Sequence, residues 1–127
     1  MHIPEDLFYT KEHEWLRMEG NRGRVGITDY AQHSLGDIVF VELPPIGKEF
    51  KAGEAFGVVE SVKSASDIYM PISGKVVAVN EEVVNSPQII NQDPYGQGWM
   101  IEIEPSNPEE IKELLDASGY KKLVEEG

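Results

Sequence analysis

The stretch 57–80, GVVESVKSASDIYMPISGKVVAVN, sets the terms for the whole chain. Two apolar, β-branched segments flank a short crest, Val62-Lys63-Ser64-Ala65, and Pro71 stops the second segment. That is the outline of a β-hairpin (54–71) with a lysine at its tip. With Lys63 and Ser64 as the two turn residues, counting outward pairs Val62 with Ala65, Glu60 with Asp67 and Val58 with Tyr69. Glu60 and Asp67 are then expected directly opposite one another on one face, a mildly unfavourable pairing of like charges. The crest also lacks the Asn-Gly or Asp-Gly of a tight two-residue turn. Two departures from local rules at one place mark a candidate functional feature.

The flanks read as further short strands. Residues 1–11 form a lead-in where Pro4 discourages regular structure. Strands are predicted over 12–18, with Trp15 as core anchor, and 22–27, weakened by Gly23 and Gly26. Thr28 reads as the N-cap of a short helix over 29–35 that stops at Gly36. DIVFVEL (37–43) is a nearly continuous apolar run and predicts a central strand. Ile46-Gly47-Lys48 and Ile72-Ser73-Gly74-Lys75 echo one another on either side of the hairpin. Strand 75–80 follows, then a loop with an extended piece at Ile89-Ile90 and a turn-rich loop over 92–98. In 99–104, Trp99, Ile101 and Ile103 alternate with Met100, Glu102 and Glu104. The tail, about 107–126, reads as helical: Asn107 as N-cap, Pro108 at the first position, Glu110 completing a capping box, and a last helix from Tyr120. The sum is a small β-barrel or sandwich with peripheral helices, in one domain over 1–127.

Composition narrows the partners. Eleven basic against 23 acidic residues give a formal charge of −12, which argues against nucleic acid or an anionic membrane and suits docking on basic protein surfaces. There is no cysteine, which excludes disulfides and thiolate metal sites. His2, His13 and His33 have no metal-ligand spacing. No apolar run approaches a membrane span, and the N-terminus has no signal pattern, so a soluble intracellular protein is expected.

A lysine with a pKa near about 10.4 is a poor unaided nucleophile at neutral pH. On a protruding turn it is instead easy for another enzyme to acylate. By composition and position alone, a solvated hairpin tip is the ordinary reading of Lys63. The wider pattern adds to this. The crest Glu60-Ser61-Val62-Lys63, the Ser66-Asp67 pair and Pro71-x-Ser73-Gly74 resemble the lipoyl-attachment segment of the glycine cleavage system H proteins. Tyr9-Thr10-Lys11-Glu12-His13-Glu14-Trp15, Gly26-Ile27-Thr28-Asp29-Tyr30-Ala31-Gln32, Leu35-Gly36-Asp37, Val39-Phe40-Val41-Glu42-Leu43-Pro44 and Asn91-x-Asp93-Pro94-Tyr95-Gly96-x-Gly98-Trp99 are similar to that family too, in order. Ser64 departs from the alanine common there.

The resemblance implies a mainly β fold, a flattened lipoyl-domain-like barrel or barrel-sandwich hybrid with one short internal helix and C-terminal helices. It implies a lipoyl group in amide linkage to Lys63 on a carrier that is not itself an enzyme. That carrier would take an aminomethyl group from a pyridoxal-phosphate glycine decarboxylase (P protein) to an aminomethyltransferase (T protein). A dihydrolipoamide dehydrogenase (L protein) would reoxidise it, and a lipoate ligase or lipoyl transferase would modify it. A monomer is expected, in the cytoplasm or, for a eukaryotic source, the mitochondrial matrix. The loaded arm carries an ammonium, and Glu12, Glu14 and Asp67 are candidates to shelter it, with Glu60 at the rim. Glu60 and Asp67 are also candidates for recognition by the lipoylating enzyme. Rival readings are a lipoyl domain of a 2-oxoacid dehydrogenase acyltransferase, a biotin carrier, an H-like lipoyl relay and a non-carrier interaction module. The first would need a linker and has no place for YTKEHEW or DPYGQGW; the second would need methionines where Val62 and Ser64 stand. Lys63→Arg is expected to leave a folded protein that gains no lipoyl mass when treated with a lipoate ligase, as read by intact mass spectrometry.

Overall fold

The computed structural model describes residues 1–126. In chain order the elements are β1 (Phe8–Tyr9), β2 (Glu14–Glu19), β3 (Arg22–Ile27), α1 (Asp29–Leu35), β4 (Ile38–Glu42), β5 (Glu49–Phe50) and β6 (Ala55–Ser61). They continue with β7 (Ala65–Tyr69), β8 (Gly74–Val79), α2 (Glu81–Asn85), α3 (Ile89–Gln92), β9 (Ile101–Pro105), a 3-10 helix (Pro108–Glu113) and α4 (Ala117–Glu126). The strands form two sheets, one ordered β1-β2-β3-β9-β8-β5 and one β4-β6-β7. Every ladder is antiparallel. The fold is mainly β, as expected, but neither sheet closes into a barrel. The echo noted in the sequence becomes a contact: β5 pairs with β8, Glu49 against Lys75 and Phe50 against Gly74.

The main core lies between the sheets. Leu16, Val25, Ile101 and Ile103 from the larger sheet meet Ile38, Val41, Val59 and Ile68 from the smaller. A second cluster joins Leu7, Tyr9, Trp15, Tyr95 and Tyr120. β2 serves both: Leu16 belongs to the first cluster and Trp15 to the second, and both are fully buried. Gly26, opposite Trp15 on β3, is the space the indole occupies, since a Cβ there would lie 2.8 Å from the ring. The glycine expected to weaken this strand therefore admits its anchor. The indole N–H then donates to the Pro94 carbonyl at 3.0 Å, tying the 92–98 loop to the sheet.

Several expectations change. The lead-in is ordered by β1, whose Tyr9 exchanges two backbone hydrogen bonds with Leu115, and His2 is held by Asp29 and Tyr95. β4 is an edge strand, not a central one. Three internal helices stand where one was expected, because 81–91 folds as α2 and α3. Asn80 caps α2, accepting from the Glu82 N–H at 3.2 Å, while Val83 and Ile90 supply the buried face. Trp99 precedes β9 and is half-buried under the Arg24 guanidinium, 4.8 Å from its ring centroid; Met100 is buried instead. Asn107 makes no side-chain cap. Glu110 accepts from Ser73 N–H and Oγ–H at 2.8 and 3.0 Å, so the capping box gives way to a tertiary contact and the segment tightens to 3-10. Helix α1 forms as expected, with Thr28 Oγ1 accepting from Ala31 N–H.

Tyr120 docks α4. Its ring stacks on Tyr9 (centroids 4.6 Å, 8°), and its hydroxyl lies 2.8 Å from His13 Nδ1 and 2.7 Å from Thr28 Oγ1. Tyr120→Phe keeps the stack and strands two polar groups. It is expected to lower stability by about 1–3 kcal/mol, read as a lower urea midpoint at unchanged slope.

Candidate functional site

The hairpin crest is built by Ser61, a residue to which no role was assigned in advance. β6 and β7 pair Glu60 with Ala65, Val59 with Ser66 and Val58 with Asp67, leaving a four-residue connection. Ser61 Oγ accepts from Lys63 N–H at 3.3 Å and Ser64 N–H at 3.1 Å, and donates to the Ser64 carbonyl at 3.2 Å. A hydroxyl thus supplies the turn chemistry that Asn-Gly would bring to a shorter loop. The register differs from that expected: Glu60 does not oppose Asp67 but sits diagonal to it. The shift is an even number of residues, so both remain on the same face.

The crest is not free-standing. Val62 N–H donates to the Asp37 carbonyl at 3.1 Å, and the Lys63 stem lies along Gly36, where a Cβ would come within 3.3 Å of Cε. Gly36 has φ +85°, which ends α1 and leaves this flat seat. Asn91 holds the corner, accepting from Ile38 N–H and donating to the Gly36 carbonyl, each at 2.9 Å. Lys63 is exposed, and among the described residues its ammonium takes part in no ion pair.

At the other end of β7, a cleft of about 470 Å³ is lined by the turn from Tyr9 to Glu14, by Tyr69, Met70 and Pro71, and by Leu114 and Leu115 from the tail. The four residue steps from Ala65 to Tyr69 place it about 13 Å along the strand from the crest. Glu14 stands at its floor, 1% exposed. Its Oε1 accepts from Thr10 Oγ–H at 2.5 Å and its Oε2 from Tyr69 N–H at 3.3 Å. Thr10 Oγ also accepts from the Glu12 and Glu14 N–H groups, at 3.2 and 3.1 Å. That local loop is the signal in the sequence that would have singled out Thr10. Neighbouring His13 has φ +72°, unusual for a non-glycine residue, and is held by Tyr120 and by a tilted contact with Tyr30.

Glu12 and Glu14 are thus brought together at the cleft, Glu12 exposed and Glu14 buried. Asp67 is not: it is exposed on the outer face of the small sheet, in the row of Val58 and Glu42. Glu60 shares that face, paired with Phe40. None of these acids is in an ion pair among the described residues. Burial pushes the Glu14 carboxyl up to about 7, against the pull of its two hydrogen bonds.

The hairpin lysine is thus seated on a helix end at one end of β7, and the buried acid lines a cleft at the other. The family model described as Glycine cleavage H-protein matches residues 7–127. The chain belongs to the glycine cleavage H-protein family. It is 63% identical over 124 residues to the glycine cleavage system H protein of Carboxydothermus hydrogenoformans, covering 98% of this chain and 95% of that one. It is 60% identical to that of Symbiobacterium thermophilum, covering 98% of each. The crystal structure of a glycine cleavage system H protein from Mycobacterium marinum superposes with a TM-score of 0.88 at 44% identity, covering 94% of this chain and 97% of that one. Membership makes the chain a lipoyl-carrying shuttle of the glycine cleavage system, a carrier component of it. No helix among the described residues is long and apolar enough to cross a membrane.

The raised Glu14 pKa has a stability consequence. The unfolded carboxyl loses its proton near 4.5 and the folded one near 7, so folding stability falls as pH rises between those values and is level beyond. Glu14→Gln removes this component. Relative to the parent, the variant is expected to gain on the order of 2–3 kcal/mol between pH 5 and pH 8, measured by urea unfolding at both. His13, whose pKa burial lowers, contributes with the opposite sign, but equally in both proteins.

Proposed function

We propose that Lys63 holds the lipoyl group in amide linkage, and that the Glu14 cleft receives the end of the arm when it carries the aminomethyl group. In this reading residues 1–127 act as one carrier domain. It hands the group from glycine decarboxylase to aminomethyltransferase, is reoxidised by dihydrolipoamide dehydrogenase, and catalyses no step itself. The observation that carries the reading is an exposed lysine on a braced turn together with a buried carboxyl, neither in an ion pair among the described residues. The residues present fit the arm. The span along β7 suits an extended lysyl-lipoyl chain in scale, and Met70, Pro71, Leu114 and Leu115 offer it apolar walls. When bound, the lipoyl ring supplies the sulfur that takes up and releases the one-carbon unit.

The protein's own part is to bind and to keep water out. Thr10 and the Tyr69 N–H fix the Glu14 carboxyl so that it faces the cleft as an acceptor. An ammonium reaching it makes a charge-assisted contact in a poorly solvated site. The other charged groups lining the cleft are Lys11, Glu12 and Glu113, all exposed, with His13 and Tyr120 packed behind the Thr10–Glu14 turn. Asp67 lies outside the cleft lining, so its role with Glu60 is recognition of the crest by the modifying enzyme, not shelter of the arm.

Glu14→Ala, loaded by glycine decarboxylase, is expected to lose the aminomethyl group about tenfold to a hundredfold faster than the parent, as expected for a charge-assisted bond of about 1.5–3 kcal/mol. Asp67→Ala is expected to decay at the parent rate. In the parent the lifetime falls as pH drops through about 7 and Glu14 takes up its proton; in Glu14→Ala that dependence is lost. Formaldehyde release from loaded protein across pH 6–8 measures all three. Equal lifetimes in parent and Glu14→Ala would remove Glu14 from the role.

A further inference from the structure

The small sheet carries an apolar patch that the core does not use. Val39 and Phe40 are 55% and 47% exposed, and Val62 on the crest is 73% exposed. Strict alternation would hide one of two successive strand residues. The ladder of β4 with β6 slips between Ile38 and Phe40, and this bulge leaves both Val39 and Phe40 outside. Phe40 pairs with Glu60, and Val62 follows Glu60 by two residues on the crest, its N–H bonded to the Asp37 carbonyl. Phe40 and Glu60 are direct cross-strand neighbours, the exposed Val62 stands two residues beyond Glu60, and Lys63 follows directly. Asp37, Glu42 and Asp67 stand exposed around the patch, with Glu60 half-buried inside it. A large exposed aromatic on an edge strand of a chain with charge −12 is not required by the fold.

The position of the patch selects its occupant. Enzymes that act on the sulfur end of an extended arm need not touch the turn at its base. The enzyme that makes the amide must bring its acyl carbonyl to Lys63 Nζ itself, and so must cover the crest. We propose that Val39, Phe40 and Val62 are the docking surface for the enzyme that lipoylates Lys63, whose complementary face is apolar and ringed by basic side chains. This rests on the reading of Lys63 as the lipoylated residue. The step itself uses an activated lipoyl donor, an acyl adenylate. The neutral Nζ attacks the carbonyl carbon and the C–N bond forms. The bond from carbonyl carbon to phosphate oxygen breaks, AMP leaves with the electron pair, and the amine proton passes to solvent. The patch adds binding, not chemistry, because Lys63 Nζ touches none of its carboxylates in an ion pair.

The test compares the parent, Val39→Ser/Phe40→Ser, and Glu60→Gln/Asp67→Asn as substrates of a purified lipoate ligase with lipoate and ATP. Intact mass reports lipoylation. The apolar double variant is expected to raise KM about tenfold or more, as for loss of an aromatic anchor, with kcat little changed. Rising salt is expected to raise KM in the parent more steeply than in Glu60→Gln/Asp67→Asn. Two controls separate docking from damage. Acetylation of Lys63 by a small activated ester should proceed at the parent rate, and variants lipoylated to completion should serve glycine decarboxylase as well as the parent does. An unchanged KM overturns the proposal, as does slowed acetylation by the ester or an equal loss with the decarboxylase. A parent that gains no lipoyl mass at Lys63 sinks the carrier reading itself, a distinct outcome.

Discussion

The first half of strand β2, Glu14 to Leu16, is buried on both faces, and much of the structure depends on it. Leu16 fills the space between the sheets, while Trp15 lies flat over Gly26 and anchors the second cluster. A strand end hidden on both sides carries its first residue into the interior too. Glu14 is therefore buried because its neighbours are apolar, not because it has a partner charge. Desolvation raises its pKa, and two neutral donors hold its oxygens in place. The cleft acid is thus a by-product of packing that most proteins would avoid. Its place on the floor of a cavity gives the site a point that favours a cation.

The same economy shapes the two ends of β7. At one end, Ser61 satisfies the crest backbone with a single hydroxyl, and the Asp37 carbonyl and Gly36 seat brace it against α1. At the other, the N-terminal turn and the C-terminal tail meet through the Tyr9–Leu115 backbone pair and complete the cleft wall. Tyr120 locks that meeting by contacts to three separate segments, at Tyr9, His13 and Thr28. Residues more than a hundred positions apart therefore define one cavity, and β7 separates it from the crest.

Much of this was legible beforehand for identifiable reasons. The hairpin, α1 with its Thr28 cap, and strands 22–27 and 75–80 carry local signals that tertiary contacts did not override. Trp15 and Lys63 were legible from strand pattern and turn position. The exact hairpin register was not, because Ser61 replaces a recognised turn signature with side-chain bonds. The edge position of β4 was hidden by its apolar run, which a bulge turns outward. The helices over 81–92 were masked by short apolar pairs that suit either period, although Asn80 followed by two glutamates is a cap signal. The capping box at 107–110 failed because Ser73 competes for Glu110.

Alternation, caps and turn residues along the chain determined the mainly β character and the exposed lysine, because each depends on neighbours in sequence. Tertiary structure alone decided where each acid stands. Glu12, Glu14, Glu60 and Asp67 look alike as letters, yet burial separates Glu14 from the rest, and the sheet's outer face separates Glu60 and Asp67 from the cleft. A carboxyl's charge state depends on the water it loses and the donors it gains, and both come from residues distant in the chain.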